Sequence, residues 1–377
     1  MAMVKFGNIV RDVKINVDRS NNPYKHYVAG DHMDSEDLTI HRHGDFATDD
    51  VGPAFTRIFK PGQILYGSRR TYLKKIAVAD FSGICANTTF VLESKNETVF
   101  LTRLLPFIML SESFTRWSIA HSKGSTNPYV LFSDLADYEF DLPPIEEQRM
   151  LANKLWAAYR LKESYKKLLT ATQEMVKSQF IEMFGNQNTN DKQWTESLVK
   201  DEFKLSMGKT PARSNPECWE NGTHRWISIS DMATYTRYTG DTSEYITDYA
   251  ITDSGIKVVP KGTIIMSFKL SIGRTAITSE DIYTNEAIMA FADFDEKKFN
   301  IDFLHFLIAN KNWLLGAKQA VKGQTLNKES IGNAKIIIPP IEMQEEFASI
   351  YNQADKSEFE LRKSIEAIDQ VIKSLIN

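Results

Sequence analysis

The sequence predicts an α+β chain in which two similar mixed α/β domains are separated by two long helices that form an antiparallel coiled coil. Three observations predict this. Pro143-Pro144-Ile145-Glu146-Glu147-Gln148 recurs, with one residue changed, as Pro339-Pro340-Ile341-Glu342-Met343-Gln344; a long charged helical pattern follows each copy; and short apolar runs between Gly, Pro and Asn turns precede each copy. The 196-residue offset lies far beyond the periods of solenoid repeats, so the duplicated unit is a whole domain with its helix. The expected organisation is a domain over 1–142, a spacer helix over 143–185, a second domain over 186–338 and a C-terminal helix over 339–377.

The helix expectation rests on period. After the first Pro-Pro, Leu151, Leu155, Ala158, Lys162, Tyr165, Leu169, Thr172 and Val176 alternate steps of four and three. After the second, Phe347, Tyr351, Ala354, Glu358, Leu361, Ile365, Ile368 and Ile372 keep that register. Such a 3.5-residue seam is the pattern of a left-handed coiled coil. The paired prolines block helix on the N-terminal side, and Glu146, Glu147, Glu342, Glu345 and Glu346 suit the positive end of a helix dipole. Gly185 closes the first helix. The first helical segment carries 7 basic and 5 acidic residues and the second 4 and 8, a difference of sign that favours their pairing. Lys162 and Glu358 break the two seams at equivalent positions and are expected to meet in an antiparallel pair.

In the first domain, 4–6, 64–66, 76–79 and 89–92 read as strands and 101–110 as a helix. In the second, 226–229, 256–259, 263–267, 275–278 and 288–291 read as strands, followed by a helix over 302–308.

Composition narrows the function. With 42% hydrophobic and 11% aromatic residues the chain has material for real cores. A net charge of −4 and a pI near 6.0 do not mark a generally basic nucleic-acid binder. The N-terminus lacks an apolar run and no apolar stretch of about 18 residues occurs, so a cytoplasmic protein without membrane contact is expected. Cys85 and Cys218 fall in no metal-ligand spacing and read as free thiols.

Catalytic patterns are weak. No Gly-x-Gly occurs, so no dinucleotide or S-adenosylmethionine glycine loop can be placed. Gly62 and Gly67 have P-loop spacing, but Ser68-Arg69 stands where Lys-Ser/Thr is required. Asn127-Pro128-Tyr129 is one proline short of an amino-methyltransferase motif. Asp80 with Glu93-Ser94-Lys95 imitates a nuclease site, a spacing common by chance. The histidines at 26, 32, 41 and 43 lack a second ligand cluster at structural-zinc spacing. No catalytic or metal residue is therefore expected.

Binding patterns are stronger. Contact with duplex DNA needs Lys and Arg for phosphates and polar side chains at base edges. The first domain offers Arg69, Arg70, Tyr72, Lys74, Lys75, then Asn87, then Lys123, Ser125, Thr126 and Asn127; the second offers Lys209, Thr210 and Arg213, then Lys269, Ser271 and Arg274, then Lys322 and Gln324. The basic loops recur at comparable places in the two domains.

With these stretches in view, the chain resembles a type I restriction-modification specificity subunit. Gly208-Lys209-Thr210-Pro211, Trp226-Ile227-Ser228 with Asp231, Val259-Pro260-Lys261-Gly262, Ile272-Gly273-Arg274 and Asn285-Glu286-Ala287 resemble successive stations of its target recognition domain, and Pro-Pro-Ile-Glu-x-Gln with its helix resembles the repeated spacers. The first domain lacks the Gly-x-Thr-Pro opening and shows Phe59-Lys60-Pro61-Gly62 and Gly83-Ile84-Cys85-Ala86-Asn87 instead. The resemblance implies that each domain reads half of a bipartite, asymmetric site on double-stranded DNA. It implies two modification subunits, which carry S-adenosylmethionine and methylate adenine, and two restriction subunits using ATP and Mg, with no cofactor or active site in this chain. A helix over 147–184 would span roughly 57 Å, about one and a half turns of B-DNA. The alternatives are an adenine methyltransferase or nuclease with its own site, and a coiled-coil adaptor that never touches DNA.

Overall fold

The computed structural model describes residues 2–269, 271–315, 319–320, 323–324 and 326–377. It divides into two compact units: unit 1 is Met1–Leu168 with Leu361–Asn377, and unit 2 is Leu169–Glu360. Each unit therefore holds one mixed domain together with a part of each long helix. The helices run Ile145–Phe184 and Ile341–Ile376, close to their expected limits. Gly185 ends the first with φ +74, and a Cβ there would lie 2.1 Å from Asp191 Oδ1. Only a residue without a side chain fits that turn.

The domain of unit 1 is built on a four-stranded antiparallel sheet in the order Val10–Asp12, Thr89–Ser94, Ile64–Gly67, Ile76–Val78. The domain of unit 2 repeats that order with Lys204–Met207, Ile288–Ala292, Ile264–Ser267 and Thr275–Ile277. Period-2 alternation decides which face each residue serves. In unit 1, Ile64, Tyr66, Ile76, Phe90 and Leu92 join a core with Phe6, Phe107 and Phe114, whereas Leu65, Ala77 and Val91 face a second core with Val28, Phe59 and Cys85. Unit 2 does the same, Ile264, Met266, Met289 and Phe291 on one side, Ile265, Ala276 and Ala290 on the other. Strands buried on both faces read as continuous apolar runs, which is why the sequence revealed them.

Beyond the second core lies a smaller sheet, ordered Gly44–Asp45, His26–Val28, Gly83–Ala86, Phe55–Phe59 in unit 1 and Glu244–Ile246, His224–Ile227, Tyr283–Thr284 in unit 2. Most of this sheet was missed because its strands are only two to five residues long, too short to show a period. The expected strand at 256–259 is a single bridge, Val259 to Ile282, following a short helix Asp248–Ser254. The expected helix at 101–110 is a 3-10 turn Thr102–Leu104 leading into Leu105–Leu110, with a further helix Glu112–Ala120 behind it.

The repeated glutamine of the Pro-Pro-Ile-Glu-x-Gln motif has a structural purpose. Gln148 is fully buried; its amide donates to the carbonyls of Val99 and Pro143, both at 2.9 Å, and its oxygen accepts from Leu101 N at 3.1 Å. Gln344, equally buried, donates to Lys298 O at 3.0 Å and Pro339 O at 2.8 Å and accepts from Asn300 N at 3.0 Å. One side chain thus satisfies three backbone groups and pins the first turn of each helix to its own domain.

Inside unit 2 the two helices run antiparallel: Gln173 donates to Glu358 at 2.9 Å, and further along the first helix Phe180 and Phe184 pack on Phe347 at centroid distances of 5.3 and 5.7 Å. Inside unit 1, Lys162 donates to Asp369 at 2.6 Å, and Ile372 enters the core that holds Leu155 and Tyr159. Lys162 and Glu358, expected to meet, fall in different units, and each has a partner inside its own. Asp369 and Gln173 are themselves one repeat apart, so each break in the seam is answered by the equivalent partner within its own unit.

The seam itself is half as expected on the first helix. Leu155 and Val176 are buried, but Leu151, Ala158, Tyr165, Leu169 and Thr172 are half-buried while Ala152, Tyr159, Phe180 and Phe184 are buried. This helix serves its domain core as well as its partner helix, which turns the buried face by one residue. On the second helix Phe347, Ala354 and Ile372 are buried and Tyr351, Glu358, Leu361, Ile365 and Ile368 half-buried, as the register implies.

Candidate nucleic-acid interface

In unit 1 the loop that joins Ile64–Gly67 to Ile76–Val78 meets the segment after the helix Glu112–Ala120. Ser68 N donates to Thr88 O at 3.0 Å, Val130 N to Ser68 O at 2.9 Å, and Arg70 N to Pro128 O at 2.6 Å. Lys123 and Tyr129 exchange backbone bonds of 2.7 and 2.9 Å, which folds Gly124–Pro128 into a tight projecting hairpin with Gly124 at φ +88. The fold therefore assembles Arg69, Arg70, Tyr72, Asn87, Lys123, Ser125, Thr126 and Asn127 at one place, and all are exposed.

Their charges are not equally available. Among the described residues the Arg70 guanidinium has no ion-pair or hydrogen-bond partner, and Arg69 only overlies the Tyr129 ring at 5.9 Å. Lys123 is paired with Asp134 at 2.9 Å, and that bond holds the Asp134 carboxyl below its usual range. Lys74 is half-buried and bound to Glu36 at 2.7 Å, and Lys75 donates to Gly30 O. Arg70 and Lys74 flank the turn Thr71–Leu73 in left-handed conformation, φ +49 and +46. Non-glycine residues held there commonly mark a functional loop.

In unit 2 the corresponding loop is anchored in the same way, Phe268 N donating to Ala287 O at 3.0 Å as Ser68 N does to Thr88 O. Lys269, Ile272 and Arg274 are exposed and Ser271 half-buried. The Gly208–Pro211 segment arrives at the same turn: Lys209 N donates to Thr284 O at 2.9 Å, Thr210 Oγ1 donates to Glu286 and accepts from Asn285 Nδ2 at 3.0 Å. A Cβ on Gly208 would sit 1.8 Å from Thr284 O, which is why glycine opens this segment. Lys209 Nζ donates to Ser254 O at 2.8 Å. Arg213 is committed internally, ion-paired to Glu244 and stacked 4.0 Å from the Trp219 ring and 4.7 Å from that of Trp226. Gln324 lies in a short backbone hairpin, Gln319–Ala320 with Gly323–Gln324; Lys322 lies outside the described residues.

The residues of the discounted catalytic patterns have other uses. Glu93 binds Arg11 at 2.8 Å and Gln63 at 2.7 Å, and Lys95 reaches the Gly7 carbonyl at 2.5 Å. His41 approaches Asp37 at 3.3 Å and Glu163 at 3.8 Å, a grouping of metal-ligand type that spacing could not reveal because Glu163 lies on the long helix. The Lys166 ammonium is 3.0 Å from Asp37 and 2.8 Å from Glu163 and already supplies the positive charge there.

A family model for the type I restriction modification DNA specificity domain matches residues 21–171 and 191–370. The chain belongs to this family. Similar curated proteins include the specificity subunit of the MjaIX type I restriction enzyme from Methanocaldococcus jannaschii, 25% identical over 49% of this chain and 43% of that protein, and the EcoDI specificity subunit from Escherichia coli, 32% identical over 26% and 21%. The alignment thus spans less than half the length of either relative. Among solved structures, the S subunit of a type I restriction-modification system from M. genitalium matches all of this chain and 94% of its own at a TM-score of 0.58 and 12% identity. A chain from work on complex assembly and conformational transition of the type I R-M system matches at 0.57 and 18%, covering 100% and 96%. At such identities the likeness is one of fold. Among the described residues no helix is long and apolar enough to cross a membrane.

Proposed function

We propose that this chain reads a bipartite, asymmetric site on double-stranded DNA, one half with the domain of 1–142 and the other with that of 186–338. One observation carries the reading. In a chain of the specificity family, both domains place an exposed basic loop at the same point of the same four-stranded sheet, anchored by equivalent backbone bonds. Arg69, Arg70, Lys269 and Arg274 meet phosphates; Asn87, Ser125, Thr126, Asn127 and Thr210 have the chemistry of base-edge contacts. Near-neutral domains bind DNA when their cations gather at one surface.

The chain performs no catalysis and holds no cofactor. Two modification subunits with S-adenosylmethionine and two restriction subunits with ATP and Mg dock on it in the cytoplasm, and the two helices set the gap between half-sites. Mapping methylated adenines in a genome that expresses the full complex tests this. Exchange of residues 1–142 for another such domain should change one half of the mapped site and leave the other intact. A change in both halves, or no mapped site from the unaltered complex, overturns the modular reading.

A further inference from the structure

We infer that Tyr72 and Ile272 are equivalent base-touching residues, each placing an apolar side chain among the base pairs of its own half-site. This rests on the DNA-reading proposal and adds to it the residues that discriminate sequence through apolar contact.

Tyr72 is 53% exposed and Ile272 38% exposed, both large hydrophobic side chains on loops rich in basic residues. Each sits in the loop between the third and fourth strands of its sheet, a few residues past the anchors Ser68 and Phe268. Each loop is rigidified by its own backbone. In unit 1 Leu73 N donates to Arg70 O at 2.9 Å, Lys74 N to Thr71 O at 2.9 Å and Gly67 N to Lys75 O at 3.0 Å. In unit 2 Ser267 N donates to Arg274 O and Gly273 N to Ser267 O, both at 2.9 Å, with Gly273 at φ +88.

An apolar side chain held out on a rigid loop is not there for the core of its own domain. The groups beside it choose the partner: exposed Arg69 and Arg70 precede Tyr72, and exposed Lys269 and Arg274 flank Ile272. Cations beside an apolar tip match phosphates beside stacked bases. In a groove, apolar groups contact thymine methyls or wedge into a base step.

The test uses the full chain, alone and co-purified with modification subunits, in selection of bound fragments from random duplex DNA followed by sequencing. Tyr72→Ser should reduce discrimination about tenfold within one half-site, Ile272→Ser by a similar factor within the other, and Tyr72→Phe should restore the first. Arg70→Ala should instead weaken all sequences alike and lower the salt slope by about one. Unaltered selectivity in both serine variants, with unchanged thermal melting, overturns the inference while leaving the DNA-reading proposal standing. Uniform weakening by the serine variants also overturns it. Absence of any enriched sequence with the unsubstituted chain overturns both.

Discussion

The two domains share their scaffold and differ in how a single loop docks on the long helices. Leu38 O accepts from Val78 N at 2.8 Å in unit 1, and Arg237 O accepts from Ile277 N at 2.8 Å in unit 2, so the two loops are equivalent. Beside Leu38, the Asp37 carboxylate accepts from Tyr159 at 2.6 Å and Lys166 at 3.0 Å on the first helix. In unit 2 the docking group is a cation: Arg237, 2% exposed, lies over the Tyr351 ring at 4.2 Å, pairs with Asp302 and approaches Asp355 at 3.7 Å. The backbone geometry is common to both loops, whereas the buried charge is an anion in one and a cation in the other. A pair of buried charges is selected as a pair, because either member alone is costly.

The largest effect should come from the buried cation. Arg237→Met leaves Asp302 and Asp355 facing each other without it and should destabilise unit 2 by about 3–5 kcal/mol, seen as earlier denaturant unfolding of that unit by hydrogen exchange. The same variant should raise the pKa of His305, which burial and then the Arg237 charge push down to about 4, as NMR titration would record. Unit 1 should be unaffected. An equal loss in both units would break the comparison.

Next come the glutamine clamps, where the units are alike. Gln148→Ala and Gln344→Ala each strand two carbonyls and one N–H, and each should cost about 2–4 kcal/mol. Similar shifts in thermal unfolding of the affected unit are expected. A large effect from only one would show that the motif does different work in its two copies.

The smallest effect is pH-dependent and confined to unit 1. Burial works against the Asp37 charge, but the bonds from Tyr159, Thr39 and Lys166 prevail and hold its pKa at about 2. A folded value below the ordinary value near 4 means the stabilisation is full above about pH 4 and is lost as pH falls toward 2. The denaturant midpoint of unit 1 should therefore decline through that window, and Asp37→Asn should flatten the decline. An unchanged slope in the variant would remove Asp37 from the account.

Much of the fold was legible because its signals are local. The ends of the first helix followed from Pro144, the glutamates and Gly185, and the central strands from runs buried on both faces. Reading the seam was less complete: Leu155 and Val176 are where the period put them, yet Tyr159 and Phe180 were passed over because the helix packs on a domain as well as on its partner. Among the candidate contacts, the fold brings Arg69 and Arg70 beside the 123–127 hairpin, a proximity that spacing along the chain did not reveal. Arg213 looked equally basic in sequence but lies between two tryptophans, one of them in a strand whose partners are remote. Ile272 carries no charge, and its exposure is set by the loop's fold, which spacing does not show.

The amino-acid order alone determined the duplication, the two long helices, the α+β class and the family, since repeats, periodicity and capping residues are properties of neighbours along the chain. Only the tertiary structure decided that Gln148 holds Val99, that Lys162 answers Asp369, that equivalent loops bury Asp37 in one unit and Arg237 in the other, and which cations stay uncommitted. Those outcomes depend on groups brought together from distant positions, where free energy is set by distance and burial and sequence spacing carries no record of either.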